Sequence, residues 1–317
     1  MENDVVKFSL LENGLEFILS SIHYLNGTSS NKYAIKHSIL NLSSGVELLF
    51  KYRLLKKDWR LVFQKSDKAD LALFEVGDFQ SVNSKTSIER LINECGIKFS
   101  EEELETLKSL REKRNRLEHF SITDSLGALK VYFIKVLSLV VDFILNNFDM
   151  EELTCTEDRL LNDVRGELGE LKAYIDHRFS EIKDELQEYG KYNSVVSCPS
   201  CYQEALVTDA GSKCLFCGYK YGSDKVAKDY IEHVLGISEY ESVTKGGDFP
   251  KYMCPECGGG LIFDEEREIW KCFNCGLEDE KEGMQYCNSC GQPYQVFDVE
   301  EDCGICDDCL EYEFNKE

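Results

Sequence analysis

CPSCYQEALVTDAGSKCLFC, residues 198–217, holds two Cys-x-x-Cys turns separated by twelve residues, and the same device recurs twice before the chain ends. A turn of this kind lets two thiolates reach one ion about 2.3 Å away, and two such turns complete a tetrahedral shell. Six pairs take twelve of the fifteen cysteines. Read in order they make three sets: Cys198, Cys201, Cys214 and Cys217; Cys254, Cys257, Cys272 and Cys275; Cys287, Cys290, Cys306 and Cys309. The expectation is three structural Zn2+ sites. A four-thiolate shell is closed, with no position left for water or substrate, so these sites are expected to hold structure rather than perform chemistry. A disulfide framework would need an oxidising compartment. The opening residues MENDVVKFSL carry no basic region followed by an apolar core, so no signal peptide is expected and a cytoplasmic location is.

Within the third set the choice of ligands is ambiguous. Cys303, Cys306 and Cys309 are spaced three apart. Cys306 and Cys309 are favoured, because Ile305 and Leu310 give their turn the apolar flanks seen in WKCFNCGL of the second set; Cys303 is the substitute. Of the remaining two, Cys95 reads as a small core residue and Cys155 has no interpretation.

Charge is unevenly divided along the 317 residues. Residues 1–150 hold 20 Lys and Arg against 21 Asp and Glu, a net of −1, whereas residues 151–317 hold 16 against 38, a net of −22. Each four-thiolate zinc site would add about two further negative charges. Such a surface repels phosphate backbones and suits a protein partner with a basic face. The ribbon aromatics Phe216, Tyr219, Tyr221, Phe273 and Tyr286 could stack bases, but packing around small metal cores is their more ordinary role. The longest apolar stretch, residues 131–148, contains Lys135 and Asp142, both costly at a bilayer centre, and reads as a buried helix. No membrane association is expected.

Ahead of the cysteines the pattern is helical. Phe8, Leu11, Leu15, Ile18 and Ile22 share one face of a helix over 5–25, and Ala34, Ile35, Ile39, Leu42, Val46, Leu49 and Leu54 stripe another over 31–57, with Gly45 as its weak point. Residues 58–85 lack a clear period and read as a connection with short structured pieces. Helices follow at 87–95 and 101–120, the second opened by a capping box from Ser100 to Glu103, and a long apolar helix runs to about Phe148. The fold class is therefore α+β and multidomain. An all-α bundle spans residues 1–150, and a linker or coiled-coil-like helix spans 151–195, weakened by Gly166 and Gly169. Cysteine ribbons follow at 196–235, 250–283 and 284–317.

One segment of the bundle could carry chemistry. REKRNRLEHF, residues 111–120, gathers Arg111, Arg114, Arg116 and His119 around Asn115. Asn115 and His119 are four apart and share a helix face, so the amide could orient the imidazole. Arg114 and His119 stand about 140° apart around an ideal helix and could both border a groove. A guanidinium grips phosphate and a histidine moves protons near neutral pH.

The run Arg114-Asn115-Arg116-Leu117-Glu118-His119 resembles the Arg-x(4–6)-His signature of the HEPN (higher eukaryotes and prokaryotes nucleotide-binding) superfamily, whose polar residue after the arginine it shares. HSILNLSSGVELLFKYRL, residues 37–54, looks like an early helix of bacterial members. The resemblance covers residues 1–150. It implies a metal-independent endoribonuclease of a defence, toxin or stress-response type that works as a homodimer and leaves 2′,3′-cyclic phosphate ends. Arg114 and His119 would carry the reaction on an RNA substrate and Asn115 would orient His119. The competing expectation is a non-catalytic, HEPN-like dimeric adaptor that presents its ribbons to a protein partner. Glu47 could pair with Arg114 but reads as a surface residue and is left out of the site.

Overall fold

The computed structural model describes residues 7–26, 32–191, 195–208, 211–244, 249–296 and 303–314. It divides into two compact units, Met1–Arg178 and Phe179–Glu317. The beginning of the expected first helix, at residues 5 and 6, and residues 297–302 of the expected third ribbon lie outside the described residues.

The first unit is helical. α1 (Leu10–Asn26) buries Leu11, Leu15, Ile18 and Ile22 completely, whereas Phe8 precedes the helix and is exposed, so it does not extend the stripe. α2 (Lys32–Lys57) is the hub, packing against α1, α4 (Ser84–Asn93), α5 (Glu101–His119) and α6 (Leu126–Asn147). All seven apolar residues of its expected stripe are buried. Gly45 lets α1 approach closely. A Cβ there would lie 2.5 Å from Ile18 Cδ1, 2.8 Å from Ile18 Cγ1 and 3.0 Å from the Gly14 carbonyl oxygen. Overpacking of this kind typically costs about 1–3 kcal/mol. Gly45→Val is therefore expected to lower the denaturant midpoint of the helical unit, and an unchanged midpoint would contradict this tight crossing.

The connection over 58–85 is more ordered than its pattern suggests. Two 3-10 turns (Trp59–Val62 and Ser66–Lys68) lead into the short α3 (Leu71–Val76). Trp59, Phe63, Phe74 and Phe79 make a local aromatic cluster, with Phe63 and Phe79 stacked 4.1 Å apart. The capping box at α5 is formed: Glu103 N–H donates to Ser100 Oγ at 3.2 Å and Ser100 N–H to Glu103 Oε2 at 2.6 Å. The two charges that interrupt the apolar stretch 131–148 of α6 have partners, Lys135 with Glu102 at 2.6 Å and Asp142 with Arg178 at 2.6 Å. Among the described residues no helix is long and apolar enough to cross a membrane.

The region expected to be one linker helix is two. α7 (Cys155–Glu170) ends where Leu171 turns extended, and α8 (Lys172–Tyr189) follows. α7 is a component of the helical unit. It buries Leu161, Val164 and Leu168, its Glu157 accepts from Ser9 Oγ at 2.5 Å, and Glu167 pairs with His23 at 3.2 Å. Its apolar stripe is thus used against α1, not kept free for self-association.

The second unit consists of small antiparallel sheets. β1 (Val195–Ser197), β2 (Glu204–Val207) and β3 (Lys213–Cys214) form the first. α9 (Ser223–His233) and α10 (Glu239–Thr244) follow. A four-stranded meander joins β4 (Lys251–Met253), β5 (Gly260–Asp264), β6 (Ile269–Cys272) and β7 (Glu278–Glu280). β8 (Met284–Tyr286) pairs with β9 (Pro293–Gln295), and α11 (Asp307–Phe314) is the last described element.

The three ribbons are not separate beads. α9 lies on β5 so closely that a Cβ on Gly260 would stand 2.6 Å from the Ser223 carbonyl oxygen, and Tyr230 packs 5.1 Å from Phe273. Ser212 Oγ donates to the Phe273 carbonyl at 2.8 Å, tying the first sheet to the second. Met284 of the third ribbon enters the core made by Cys254, Leu261, Trp270 and Cys272.

Candidate metal centres and a candidate active site

Each expected set of four cysteines converges. In all three, the four Sγ atoms lie within 4.8 Å of one another, with Cys198, Cys201, Cys214 and Cys217 in the first, Cys254, Cys257, Cys272 and Cys275 in the second, and Cys287, Cys290, Cys306 and Cys309 in the third. A tetrahedral ion about 2.3 Å from each sulfur sets a sulfur–sulfur edge of about 3.8 Å. The distances match: Cys198–Cys217 3.7 Å, Cys201–Cys214 3.8 Å, Cys254–Cys275 3.8 Å, Cys257–Cys272 3.6 Å and Cys290–Cys306 3.8 Å. None of the fifteen cysteines is in a disulfide. Cys303 stays out of the third set, its sulfur directed to the Ile305 carbonyl at 3.8 Å.

Local geometry explains why these short stretches make the sites. The residue after the second cysteine of a turn takes a left-handed conformation, which glycine adopts without a steric penalty. Gly218, Gly258, Gly276 and Gly291 do so at φ between 71° and 77°. Tyr202 occupies the equivalent place after Cys201 at φ 59°, a conformation a side chain resists. The sixth pair dispenses with such a residue, because Cys309 falls inside α11. Backbone N–H groups then point at the sulfurs: Gly259 to Cys257 at 3.4 Å, Asn274 to Cys272 at 3.3 Å, Ser289 and Cys306 to Cys287 at 3.4 and 3.3 Å. Such donors favour the thiolate, the form that binds metal. N–H groups of Cys290 and Cys306 hold the Cys287 thiol down to about 6. The Cys214 thiol is instead pushed well up by burial, a desolvation that a bound cation would offset.

The sets differ in exposure. All four cysteines of the first are buried, whereas Cys257 of the second and Cys290 of the third are exposed and only Cys287 of the third is buried. A chelator must reach the ion through its ligands. Titrating the metal-loaded protein with a chromogenic chelator is therefore expected to release one equivalent early, from the third set. Cys290→Ser should abolish that early phase, and an early phase that persists in this variant would contradict the assignment.

Three of the five aromatics considered as base platforms are unavailable: Phe216, Tyr219 and Phe273 are buried in the ribbon cores. Tyr221 is nearly so, while Tyr286 remains half exposed and donates to Tyr252 Oη at 3.1 Å.

In the helical unit, α5 carries the basic segment to its C-terminal end. Arg114 Nη2 meets Glu118 Oε2 at 3.0 Å, and His119 Nε2 lies 3.5 Å from the same oxygen. Glu118 thereby brings together two side chains that the helical wheel places well apart. Asn115 does not orient His119 within this chain; its Oδ1 accepts from Arg114 Nη1 at 3.2 Å. The His119 side chain is 74% exposed and Arg114 38%. Phe120, directly after the helix, is 86% exposed, and Val131 of α6 is 71% exposed.

Beside this group lies a cavity of about 370 Å³ that Glu47, Ser81, Asn83, Arg111, Arg114 and Asn115 help to line. Glu47 is paired with Lys51 at 2.6 Å rather than with Arg114, and Lys51 also donates to Ser81 Oγ at 3.0 Å. Glu118 was given no role in the sequence reading of the site, and Arg111 was named only as part of the basic segment. Glu118 could have been found, being four residues from Arg114 and next to His119. The cavity could not, because its walls come from three separate stretches of chain.

No protein-family model, curated protein or solved structure matches this chain.

Proposed function

We propose that the chain is a zinc-binding, metal-independent endoribonuclease of HEPN type. Two protomers would pair their α5 ends around one scissile phosphate. His119 takes or returns the proton at the 2′-hydroxyl or 5′-oxygen, and Arg114 stabilises the charged phosphorane. The observation that carries this reading is the grouping of Arg114, Glu118 and His119 at an open helix end. The exposed Phe120, directly after α5, supports a homodimer, offering apolar surface for a second copy at the same end. The three thiolate sets suit Zn2+, a borderline-soft ion without redox chemistry. In this reading they stiffen an acidic arm that binds a protein partner or regulates cleavage, in a cytoplasmic protein of a defence, toxin or stress-response system.

The test is incubation of purified protein with mixed RNA, chelator added after folding, followed by analysis of product ends. Fragments ending in 2′,3′-cyclic phosphate are expected. Intact RNA with wild type under every condition would remove the enzymatic reading.

One observation favours a second reading, a non-catalytic dimeric adaptor. Glu118 neutralises Arg114 and also abuts His119, leaving less free positive charge for a phosphate. A pull-down in which partner binding needs the ribbons and tolerates His119→Ala would support the adaptor.

A further inference from the structure

The cavity beside Arg114 has a polarity that neither the cleavage step nor the fold requires. Its volume of about 370 Å³ falls within the range of small-molecule sites, which begins at about 300 Å³. Arg111 and Arg114 help to line it, and Arg111 has no ion pair among the described residues. Glu47 supplies a carboxylate to the same cavity, fastened through Oε1 to Lys51, whose side chain is only 10% exposed. Lys51 is in turn bonded to Ser81. The carboxylate is thus held in place by a nearly buried cation, and its Oε2 carries no hydrogen bond among the described residues.

A site with a free guanidinium and a pinned carboxylate needs a ligand with an anionic group and paired donors. Of the four RNA bases, guanine presents two adjacent donors, N1–H and N2–H, on its Watson–Crick edge. A carboxylate accepts both, since each of its oxygens has two lone-pair sites. Adenine and cytosine set a ring-nitrogen acceptor beside their amino group, and uracil flanks its single N–H with two carbonyls. Each would turn an acceptor toward Glu47. We propose that this cavity is a guanine-nucleotide subsite, in which Glu47 reads the base edge and Arg111 with Arg114 holds the phosphate. As a determinant of which RNA position is cut, it rests on the ribonuclease reading; as a binding site for a guanine nucleotide, it does not.

The experiment measures binding of GMP, AMP, CMP and UMP to the full-length, metal-loaded protein by calorimetry, alongside cleavage of RNAs that contain a single guanine. Wild type is expected to bind GMP about tenfold or more tighter than the other three, the discrimination typical of one bidentate base contact. Glu47→Gln, close in shape, should bring all four nucleotides to within about twofold of one another, because an amide cannot accept two donors side by side. Arg111→Ala should weaken all four by a similar factor, as loss of a phosphate contact does. Equal affinities in wild type, or a guanine preference that survives Glu47→Gln in a protein of unchanged melting temperature, would overturn the proposal. The two readings separate cleanly. RNA cut without regard to guanine, with no GMP preference, leaves the nuclease standing and removes the subsite; GMP preference with uncut RNA does the reverse.

Discussion

Cys214→Ser is expected to strip one of three metal ions from the protein and to loosen more than the ribbon that carries it. Cys214 is fully buried, its sulfur 3.8 Å from that of Cys201, and it closes the first sheet opposite Leu206. A serine hydroxyl does not ionise near neutral pH and is a poor replacement for a thiolate ligand. Apparent binding energies of structural zinc sites run to about 10–16 kcal/mol, and for modules this small that energy is folding energy. The ribbon is too small to bury an adequate core without its ion. Its loss would also release the Ser212 bond to Phe273 and the Gly211 N–H bond to the Asn274 carbonyl at 3.0 Å, both of which hold the second sheet. Native mass spectrometry should count two metals in Cys214→Ser and three in Cys303→Ser, whose sulfur lies outside the third set. The thermal transition of the second unit should fall in the first variant alone. Three bound metals in Cys214→Ser would refute the ligand assignment.

His119→Ala is expected to lower RNA cleavage by about 10²–10⁴-fold, the usual loss when a positioned acid or base is removed. Arg114→Ala should cost about 10²–10³-fold through lost stabilisation of the transition state. Neither change should disturb folding. His119 is mostly exposed, and the pair Arg114–Glu118 is an exposed i,i+4 ion pair of the kind that contributes little to stability. Circular dichroism and metal content should therefore match wild type, so that lost cleavage reports chemistry. Wild-type cleavage by His119→Ala would rule out this histidine as the proton carrier.

Much of the helical unit was legible because its signal is short-range. Leu11, Leu15, Ile18 and Ile22 repeat at three and four residues, and the structure buries each of them. Ser100 and Glu103 are local partners, and their capping box forms as the spacing implies. Phe8 extended the same period on paper but precedes the first helical turn, where periodicity no longer dictates which way a side chain faces. Residues 58–85 were opaque for a related reason. Their order comes from Trp59, Phe63, Phe74 and Phe79 meeting across the connection, and no repeating interval announces such a cluster.

By itself the sequence determined the first two sets of four cysteines and the Cys287–Cys290 turn of the third, since a Cys-x-x-Cys turn is a four-residue device whose geometry is local. It favoured Cys306 and Cys309 over Cys303, and the structure decided that choice. The sequence also determined the helical character of the first half and the placement of Arg114 and His119 on one helix. Tertiary structure alone decided that α7 packs against α1, that Met284 joins the core of the second ribbon while Tyr230 of α9 packs on Phe273, and that a cavity opens beside Arg114. Those outcomes depend on which surfaces meet across tens of residues. The burial of a face is written in its period, but the identity of the face opposite is not.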